Sequence, residues 1–131
     1  MVSFTTAIKN FYLKALKFKG RATRAEFWWV ELYYFLTILL LSFIISVDDS
    51  LIIILPIYIL INAIPMLSLQ VRRFHDIGKS AWSLFIYCIP YVGSFICLML
   101  YTQSGDKFDN KYGKCPYETK AKVLDVENVE L

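Results

Sequence analysis

Hydrophobic residues dominate three stretches of the chain, each about 20 residues long. The stretches are Phe27–Val47, Leu51–Leu69 and Trp82–Tyr101. A helix of about 20 apolar residues spans the roughly 30 Å hydrocarbon core of a bilayer. A buried helix of a soluble bundle would carry a polar stripe, and none of these stretches has one. The pattern therefore predicts an all-α, polytopic membrane protein with a bundle of three transmembrane helices.

The segment before the first stretch has the pattern of an amphipathic helix. Its apolar residues recur on one side, at Phe4, Ile8, Phe11, Ala15 and Phe18, with lysines on the other side. Such a helix can lie in the membrane interface, with its lysines among anionic headgroups. The alternative is a helix packed onto the protein's own loops, and we favour the interfacial position. Because no cleavable signal peptide is recognisable, we expect the first stretch to direct insertion.

Short polar connections separate the apolar stretches. Thr23–Glu26 has the form of a capping box at the start of the first helix. Asp48–Ser50 allows only a tight turn, in which Asp49 or Ser50 can cap the second helix. The loop Gln70–Ser80 contains turn residues, and its Ser80 can cap the third helix. These connections predict one compact set of antiparallel spans.

Composition supports the membrane interpretation. Hydrophobic residues make up 57% of the 131 residues and aromatic residues 17%, and the mean hydropathy is +0.50. A soluble domain is about 45–50% apolar. Residues 1–116 are therefore predicted to form a single membrane domain, and the charged segment 117–131 is predicted to be disordered.

The distribution of lysine and arginine predicts the orientation. The N-terminal segment and the loop after the second stretch are cationic, whereas the loop after the first stretch has no lysine or arginine. Cationic loops stay in the cytoplasm, so the N-terminus and the Gln70–Ser80 loop are predicted to be cytoplasmic. Three full crossings would then place the C-terminal tail outside.

The tail itself conflicts with that topology because it carries five lysines. The sequence Ile89–Gly93 contains Pro90, and a re-entrant hairpin there would return the tail to the cytoplasm. Three crossings are the favoured prediction, with the hairpin as the alternative.

Glu31 is the only acidic or basic residue within the three stretches. A carboxylate at this depth is a functional-site hypothesis by default. We expect it to pair with Arg72 or Arg73, because the start of the first span and the end of the second share one face of the bilayer. The alternatives are snorkelling to water and a role in proton transport, although a relay lacks a second titratable partner within the spans.

The densest polar cluster is Arg72–Asp76. Two guanidinium groups beside a membrane are suited to bidentate phosphate binding. His75 and Asp76 would suit proton transfer, but adjacent loop residues usually point apart. An equally weighted interpretation is that the arginines anchor the loop while Asp76 forms a turn. A lone histidine and three unpaired cysteines predict no metal site, and we expect no cofactor.

No glycine-rich phosphate loop, Ser-His-Asp set or zinc-binding helix is recognisable, so an enzyme is not expected. The candidate residues for a polar network or headgroup binding are Arg21, Arg24, Glu26, Glu31, Arg72, Arg73, His75, Asp76 and Lys79.

Three ordered motifs, Phe18–Trp28, Arg72–Trp82 and Gly105–Pro116, carry a resemblance to a known family. Together they resemble the bacterial inner-membrane family catalogued as domain of unknown function 805. The resemblance implies a small multi-pass inner-membrane protein without an established activity. The matching positions are Gly20, Arg21, Arg24, Trp28, Arg73, His75, Asp76, Gly78, Ser80, Trp82, Asn110 and Gly113.

Two classes of function follow. The favoured one is a structural or interaction protein whose cationic cytoplasmic face binds anionic lipid or a partner, either a second copy or another membrane protein. The alternative is a subunit of an oligomeric small-solute or ion transporter or channel, because kinked helices line transport sites. Oligomer size in mild detergent distinguishes them, since three spans hardly enclose a pathway. No feature indicates nucleic-acid binding.

Overall fold

The computed structural model describes residues 2–117, in which the regular elements are all helices, with one isolated bridge between Asn110 and Gly113 and no strand. The predicted disordered segment lies outside the described residues apart from Tyr117. The helices are α1 (Phe4–Leu13), α2 (Arg24–Val47), α3 (Ile54–Asp76) and α4 (Val92–Thr102), with 3₁₀ helices over Asp49–Leu51 and Ala81–Cys88.

Two helical segments are long and apolar enough to cross a membrane. They are Arg24–Val47, with 24 residues, and Asp49–Asp76, with 28 residues. Most of their large apolar side chains are exposed, as Leu60 is at 75%. A soluble helix of this composition would be buried, so the exposed apolar surface fits contact with lipid.

The chain divides into two compact units. The helical unit contains Met1–Phe18 and Ala25–Gln70, and the polar unit contains Lys19–Arg24 and the chain from Val71 onward.

In the helical unit, a tight turn joins α2 to α3. The Asp48 carboxylate accepts hydrogen bonds from the backbone N–H of Ser50 at 3.0 Å and from its hydroxyl at 2.7 Å. Asp48 therefore caps the short 3₁₀ helix, a role the sequence suggested for Asp49 or Ser50. Tyr34 stacks on Tyr58 at 5.6 Å, which brings α2 and α3 together.

The first helix, α1, packs on α2 and α3. Ala7 and Phe11 are its buried residues. The Tyr12 hydroxyl lies 3.1 Å from that of Tyr33 and donates to Oδ1 of Asn62 at 3.1 Å. The hydroxyl of Ser68 lies 2.8–3.0 Å from two carbonyl oxygens just after α1. Because α1 contacts the long helices, it does not rest only on loops.

In the polar unit, α3 ends in a Schellman motif. The N–H of Lys79 donates to the carbonyl of Phe74 at 2.9 Å, and the N–H of Gly78 donates to that of His75 at 3.2 Å. Gly78 has φ +72°, a left-handed conformation in which glycine avoids a Cβ clash. The predicted turn after Asp76 is thus formed.

The third apolar stretch is not the single helix predicted over 82–101. It forms a helical hairpin, with Ala81–Cys88 and α4 as two arms that pack on each other. Pro90 has no N–H to continue a helix, and Tyr91 reverses the chain with φ 64°. A Cβ on Gly93 would lie 2.0 Å from the carbonyl oxygen of Ile86, so glycine permits the close approach. Ser80 precedes the first arm without a side-chain cap bond.

Candidate functional site

The centre of the polar unit is the carboxylate of Asp76, which is completely buried. Its Oδ1 accepts from Nε of Arg21 at 2.9 Å. Its Oδ2 accepts from Nη1 of Arg73 at 2.5 Å and from the hydroxyl of Tyr117 at 2.8 Å. One carboxylate thus neutralises part of the charge of two guanidinium groups whose side chains are at most 1% exposed. We call Arg21, Arg73, Asp76 and Tyr117 the Asp76 network.

Arg21 connects the segment before α2 to the segment after the hairpin. Its Nη1 donates to the carbonyl of Phe108 at 2.8 Å, and its Nη2 donates to that of Asp106. Next to it, the N–H of Ala22 donates to the carbonyl of Arg72 at 3.0 Å. The start of α2, the end of α3 and the chain after the hairpin are therefore joined at one place.

Arg73 holds the C-terminal end of α4. Its Nη2 donates to the carbonyls of Tyr101, at 3.0 Å, and Gln103, and its Nε lies 3.3 Å from the Tyr101 oxygen. The last carbonyls of a helix have no partner within the helix and carry partial negative charge. The Arg73 guanidinium group supplies hydrogen-bond donors to these carbonyls and a positive charge beside them. Arg24 adds a weaker contact to the carbonyl of Thr102 at 3.4 Å.

Gly105 brings the backbone directly against the carboxylate. A Cβ at this position would lie 2.1 Å from Oδ2 of Asp76 and 2.8 Å from the Tyr117 hydroxyl. The N–H of Asp106 donates to the backbone carbonyl of Asp76 at 2.7 Å. Burial and the hydrogen bond to Asp76 raise the pKa of Tyr117 to about 12, so the phenol stays protonated as a donor.

His75 belongs to a second group of contacts beside the network. Its Nδ1 lies 3.2 Å from the carbonyl of Gly20, and its ring stacks on Tyr112 at 3.9 Å. Nδ2 of Asn110 donates to the carbonyl of His75 at 2.9 Å and to Oδ2 of Asp106 at 2.8 Å. His75 and Asp76 therefore have different partners, and the proton-transfer pair suggested by their adjacency does not form.

The structure separates the nine candidate residues into three groups. Arg21, Arg73 and Asp76 form the core of the network, with His75 beside it. Glu26 and Arg72 are also buried, at 4% and 2% exposure. The rest are at least partly exposed and comprise Arg24, Glu31 and Lys79.

Two predicted roles concern the partners of these arginines. Arg73, one of the two partners expected for Glu31, is directed to Asp76 and the end of α4. The buried Arg21 and Arg73 direct their guanidinium groups to protein oxygens, so they do not present them to lipid phosphate. Both arginines contact Asp76; headgroup binding, and a network that holds the spans together, stay predictions.

Tyr117 and several residues that contact the Asp76 network or His75 escaped the residue-by-residue reasoning. Tyr117 falls in the segment predicted to be disordered, and only a tyrosine just after Pro116 marks it. The carbonyls of Tyr101, Gln103 and Asp106 leave no signal, because every residue carries one. Asn110 was a family-motif position without an assigned role, and Gly105 only opened the third motif.

Hydrogen-bond donors enclose the Asp76 carboxylate. Both oxygens of Asp76 accept charged or phenolic donors, and the carboxylate has no exposed surface. A general base needs access to its substrate proton. Across residues 2–117, no group of three or more His, Cys, Asp or Glu side chains is placed to hold a metal ion.

The helical unit has an apolar groove of about 430 Å³ beside the start of α2. Trp28 and Trp29 line it together with Val2, Ala25 and Leu32. Tryptophan is enriched where a helix enters the membrane, so the groove has the chemistry of an acyl-chain contact.

Comparison with known proteins gives the family. The profile of the family described as protein of unknown function (DUF805) matches residues 15–114. The chain belongs to this family. The match includes the first two motifs entirely and the third as far as Lys114. It also includes every residue of the Asp76 network except Tyr117.

Two relatives have similar lengths. Inner membrane protein YhaH of Escherichia coli (strain K12) is 30% identical over 120 residues, covering 82% of this DUF805 chain and 96% of YhaH. Inner membrane protein YhaI of the same strain is 31% identical over 113 residues, covering 82% and 95%. No solved structure gives a significant match. These relatives are inner-membrane proteins, and the two long apolar helices of this chain fit membrane insertion.

Proposed function

We propose that this protein is a structural or interaction protein of the bacterial inner membrane whose exposed cytoplasmic cations bind anionic lipid headgroups. The observation that carries the proposal is the division of the cations into two sets. Arg21 and Arg73 are buried and hydrogen-bonded to Asp76, whereas the lysines of the polar unit that the structure describes are exposed.

Contacts inside the polar unit support a cytoplasmic position for both termini. Arg21 precedes α2 and bonds to Asp106 and Phe108, which follow the hairpin. The start of α2 and the tail then lie on the same side of the membrane. With two crossings, all 14 lysines and arginines are cytoplasmic, whereas three crossings would leave five outside. The positive-inside rule favours two crossings with both termini in the cytoplasm.

The exposed cations suit a negatively charged membrane surface. In the polar unit they are Lys19, Arg24, Lys79, Lys107, Lys111 and Lys114. A lysine or arginine near an anionic surface contributes about 1 kcal/mol. We place α1 in the cytoplasmic interface for the same reason, with its exposed Lys9 and the nearby Lys17 toward the headgroups.

A lipid-dependent thermal shift tests the proposal. The purified protein in neutral detergent receives phosphatidylglycerol or phosphatidylcholine, and Tm is recorded by tryptophan fluorescence. We expect phosphatidylglycerol to raise Tm more than phosphatidylcholine does. Replacing Lys79, Lys107 and Lys114 by Gln should remove up to about half of this difference, because three of the six exposed cations named above would lose their charge, each contributing about 1 kcal/mol.

The matched control replaces the same three lysines by Arg, which keeps the charge and should keep the difference. Equal shifts with both lipids, or an unchanged phosphatidylglycerol effect in the Gln variant, would contradict the proposal. Either result would favour a protein partner over lipid.

A further inference from the structure

We infer that the hairpin Ala81–Thr102 is a re-entrant element, which enters the cytoplasmic leaflet and returns to the cytoplasm without crossing the membrane. This inference rests on the cytoplasmic orientation proposed above for the Asp76 network. In this position the third apolar stretch contacts the lipid acyl chains of the cytoplasmic leaflet only.

Both ends of the hairpin are tied to the same polar cluster. The first arm begins five residues after Asp76, just beyond the Schellman turn. The second arm ends at Tyr101 and Gln103, whose carbonyls accept from Arg73, itself bonded to Asp76. A segment that starts and finishes at one buried carboxylate cannot have its ends on opposite faces of a bilayer.

The length of each arm fits half a bilayer. Eleven residues of α4 rise about 16 Å at 1.5 Å per residue. The eight residues of the 3₁₀ arm also rise about 16 Å at 2.0 Å per residue. The hydrocarbon core is about 30 Å thick, so the tip reaches no further than about its middle.

The surface of the hairpin is apolar and exposed. No charged residue occurs from Ala81 to Gln103. Trp82 is 74% exposed, Phe95 63% and Tyr91, at the tip, 99%. Apolar side chains concentrated on one short hairpin mark a contact with a partner or a membrane. Since both ends stand beside cationic residues at the proposed membrane surface, the acyl chains are the occupant we infer.

Three backbone N–H groups at the tip form hydrogen bonds within the hairpin. The N–H of Ile89 donates to Ile86 at 3.0 Å, that of Val92 to Pro90 at 2.7 Å and that of Gly93 to Ile89 at 3.0 Å. Pro90 itself has no N–H. An unsatisfied backbone group costs several kcal/mol in hydrocarbon, so these three internal bonds lower the cost of placing the turn in the membrane interior.

Cysteine labelling in the full-length protein tests the inference. In a background with Cys88, Cys97 and Cys115 replaced by Ser, single cysteines are introduced by Asp49→Cys, Tyr91→Cys and Ser104→Cys. A membrane-impermeant maleimide is applied to spheroplasts and to inside-out vesicles. We expect Asp49→Cys to react only in spheroplasts, Ser104→Cys only in inside-out vesicles, and Tyr91→Cys in neither until detergent is added.

Each other outcome overturns a defined statement. Reaction of Ser104→Cys in spheroplasts would mean that the hairpin crosses the bilayer. That result would also overturn the proposed cytoplasmic location of the tail. Reaction of Tyr91→Cys in inside-out vesicles, with Ser104→Cys as expected, would place the hairpin in the cytoplasm. That result would overturn the re-entrant hairpin while leaving the proposed orientation and lipid binding intact.

A substitution at Gly93 tests whether the same segment folds as a hairpin or as a straight helix. Gly93→Ala should lower Tm in detergent, since its Cβ would meet the Ile86 carbonyl at 2.0 Å. In a straight transmembrane helix the same change would be neutral or stabilising, because alanine is the better helix former. Ser94→Ala, at the exposed neighbouring position, is the control. A Tm for Gly93→Ala equal to or above that of the control would overturn the hairpin.

Discussion

Replacing Asp76 by Ala is the sharpest test of the Asp76 network. The substitution removes the acceptor for Nε of Arg21, at 2.9 Å, and for Nη1 of Arg73, at 2.5 Å. It also leaves the Tyr117 hydroxyl without the oxygen to which it donates. The two buried guanidinium groups would then lose their carboxylate and keep their bonds to backbone carbonyls.

The expected cost follows from burial. Removing one partner of a buried ion pair costs about 3–5 kcal/mol, because the remaining charge is left uncompensated. Asp76 serves two arginines and is completely buried, so we expect the upper part of that range. About 4 kcal/mol lowers the ratio of folded to unfolded protein nearly a thousandfold. Since domains are stable by about 5–15 kcal/mol, the variant should be severely weakened.

Reversible unfolding in mixed micelles, followed through tryptophan fluorescence, measures this effect. Asp49→Ala is the matched control, because Asp49 is exposed in the turn before α3 and its loss should change stability by less than about 0.5 kcal/mol. A double-mutant cycle with Arg73→Met should show coupling of about 1–3 kcal/mol, since the two residues share one bond. If Asp76→Ala unfolds like the control, or if its effect simply adds to that of Arg73→Met, Asp76 does not anchor the arginines.

Three further predictions concern two residues beside this carboxylate and one that contacts His75. Gly105→Ala should lower Tm in detergent, because the new Cβ would lie 2.1 Å from Oδ2 of Asp76. Tyr117 should make stability depend on alkaline pH: its pKa is raised from 10.0 to about 12, so its contribution is complete below pH 10 and is lost as pH rises toward 12. The Tm advantage of the wild type over Tyr117→Phe should therefore shrink across that interval. Asn110→Ala should cost about 1 kcal/mol for each lost hydrogen bond and increase the mobility of the His75 ring measured by NMR relaxation.

Gln103→Ala serves as the control for all three, because its side chain is exposed and only its backbone carbonyl contacts Arg73. A Gly105→Ala Tm matching this control would show that the backbone can move away from Asp76. A Tm difference between wild type and Tyr117→Phe that stays constant from pH 10 to 12 would contradict the role given to the phenol. Unchanged His75 dynamics in Asn110→Ala would show that the stack on Tyr112 holds the ring alone.

Much of the local structure was predictable from nearby residues. The first two membrane segments and the tight turn at Asp48 follow from runs of apolar side chains and one short polar break. The start of α2 at Arg24, directly after Thr23, agrees with the predicted cap position. The turn at Gly78 was also predictable, because few other residues adopt a φ of +72° without strain.

The third apolar stretch shows where this reasoning stops. Pro90 is compatible with a kinked helix and with a reversal of the chain, and hydropathy is the same for both. The choice depends on whether Gly93 can approach the Ile86 carbonyl and whether Arg73 can bond to Tyr101. Those contacts exist only after the two arms have folded.

The sequence by itself determined which segments prefer hydrocarbon and which carry charge, because the transfer free energy of a side chain depends mainly on that side chain. It did not determine the partners of the charges. Arg21 and Asp76 are separated by 55 positions. Their bond forms only when the residues just before α2 meet the end of α3. The tertiary structure alone shows that Arg21 and Arg73 both contact Asp76, because residues far apart in the sequence meet only when the chain folds.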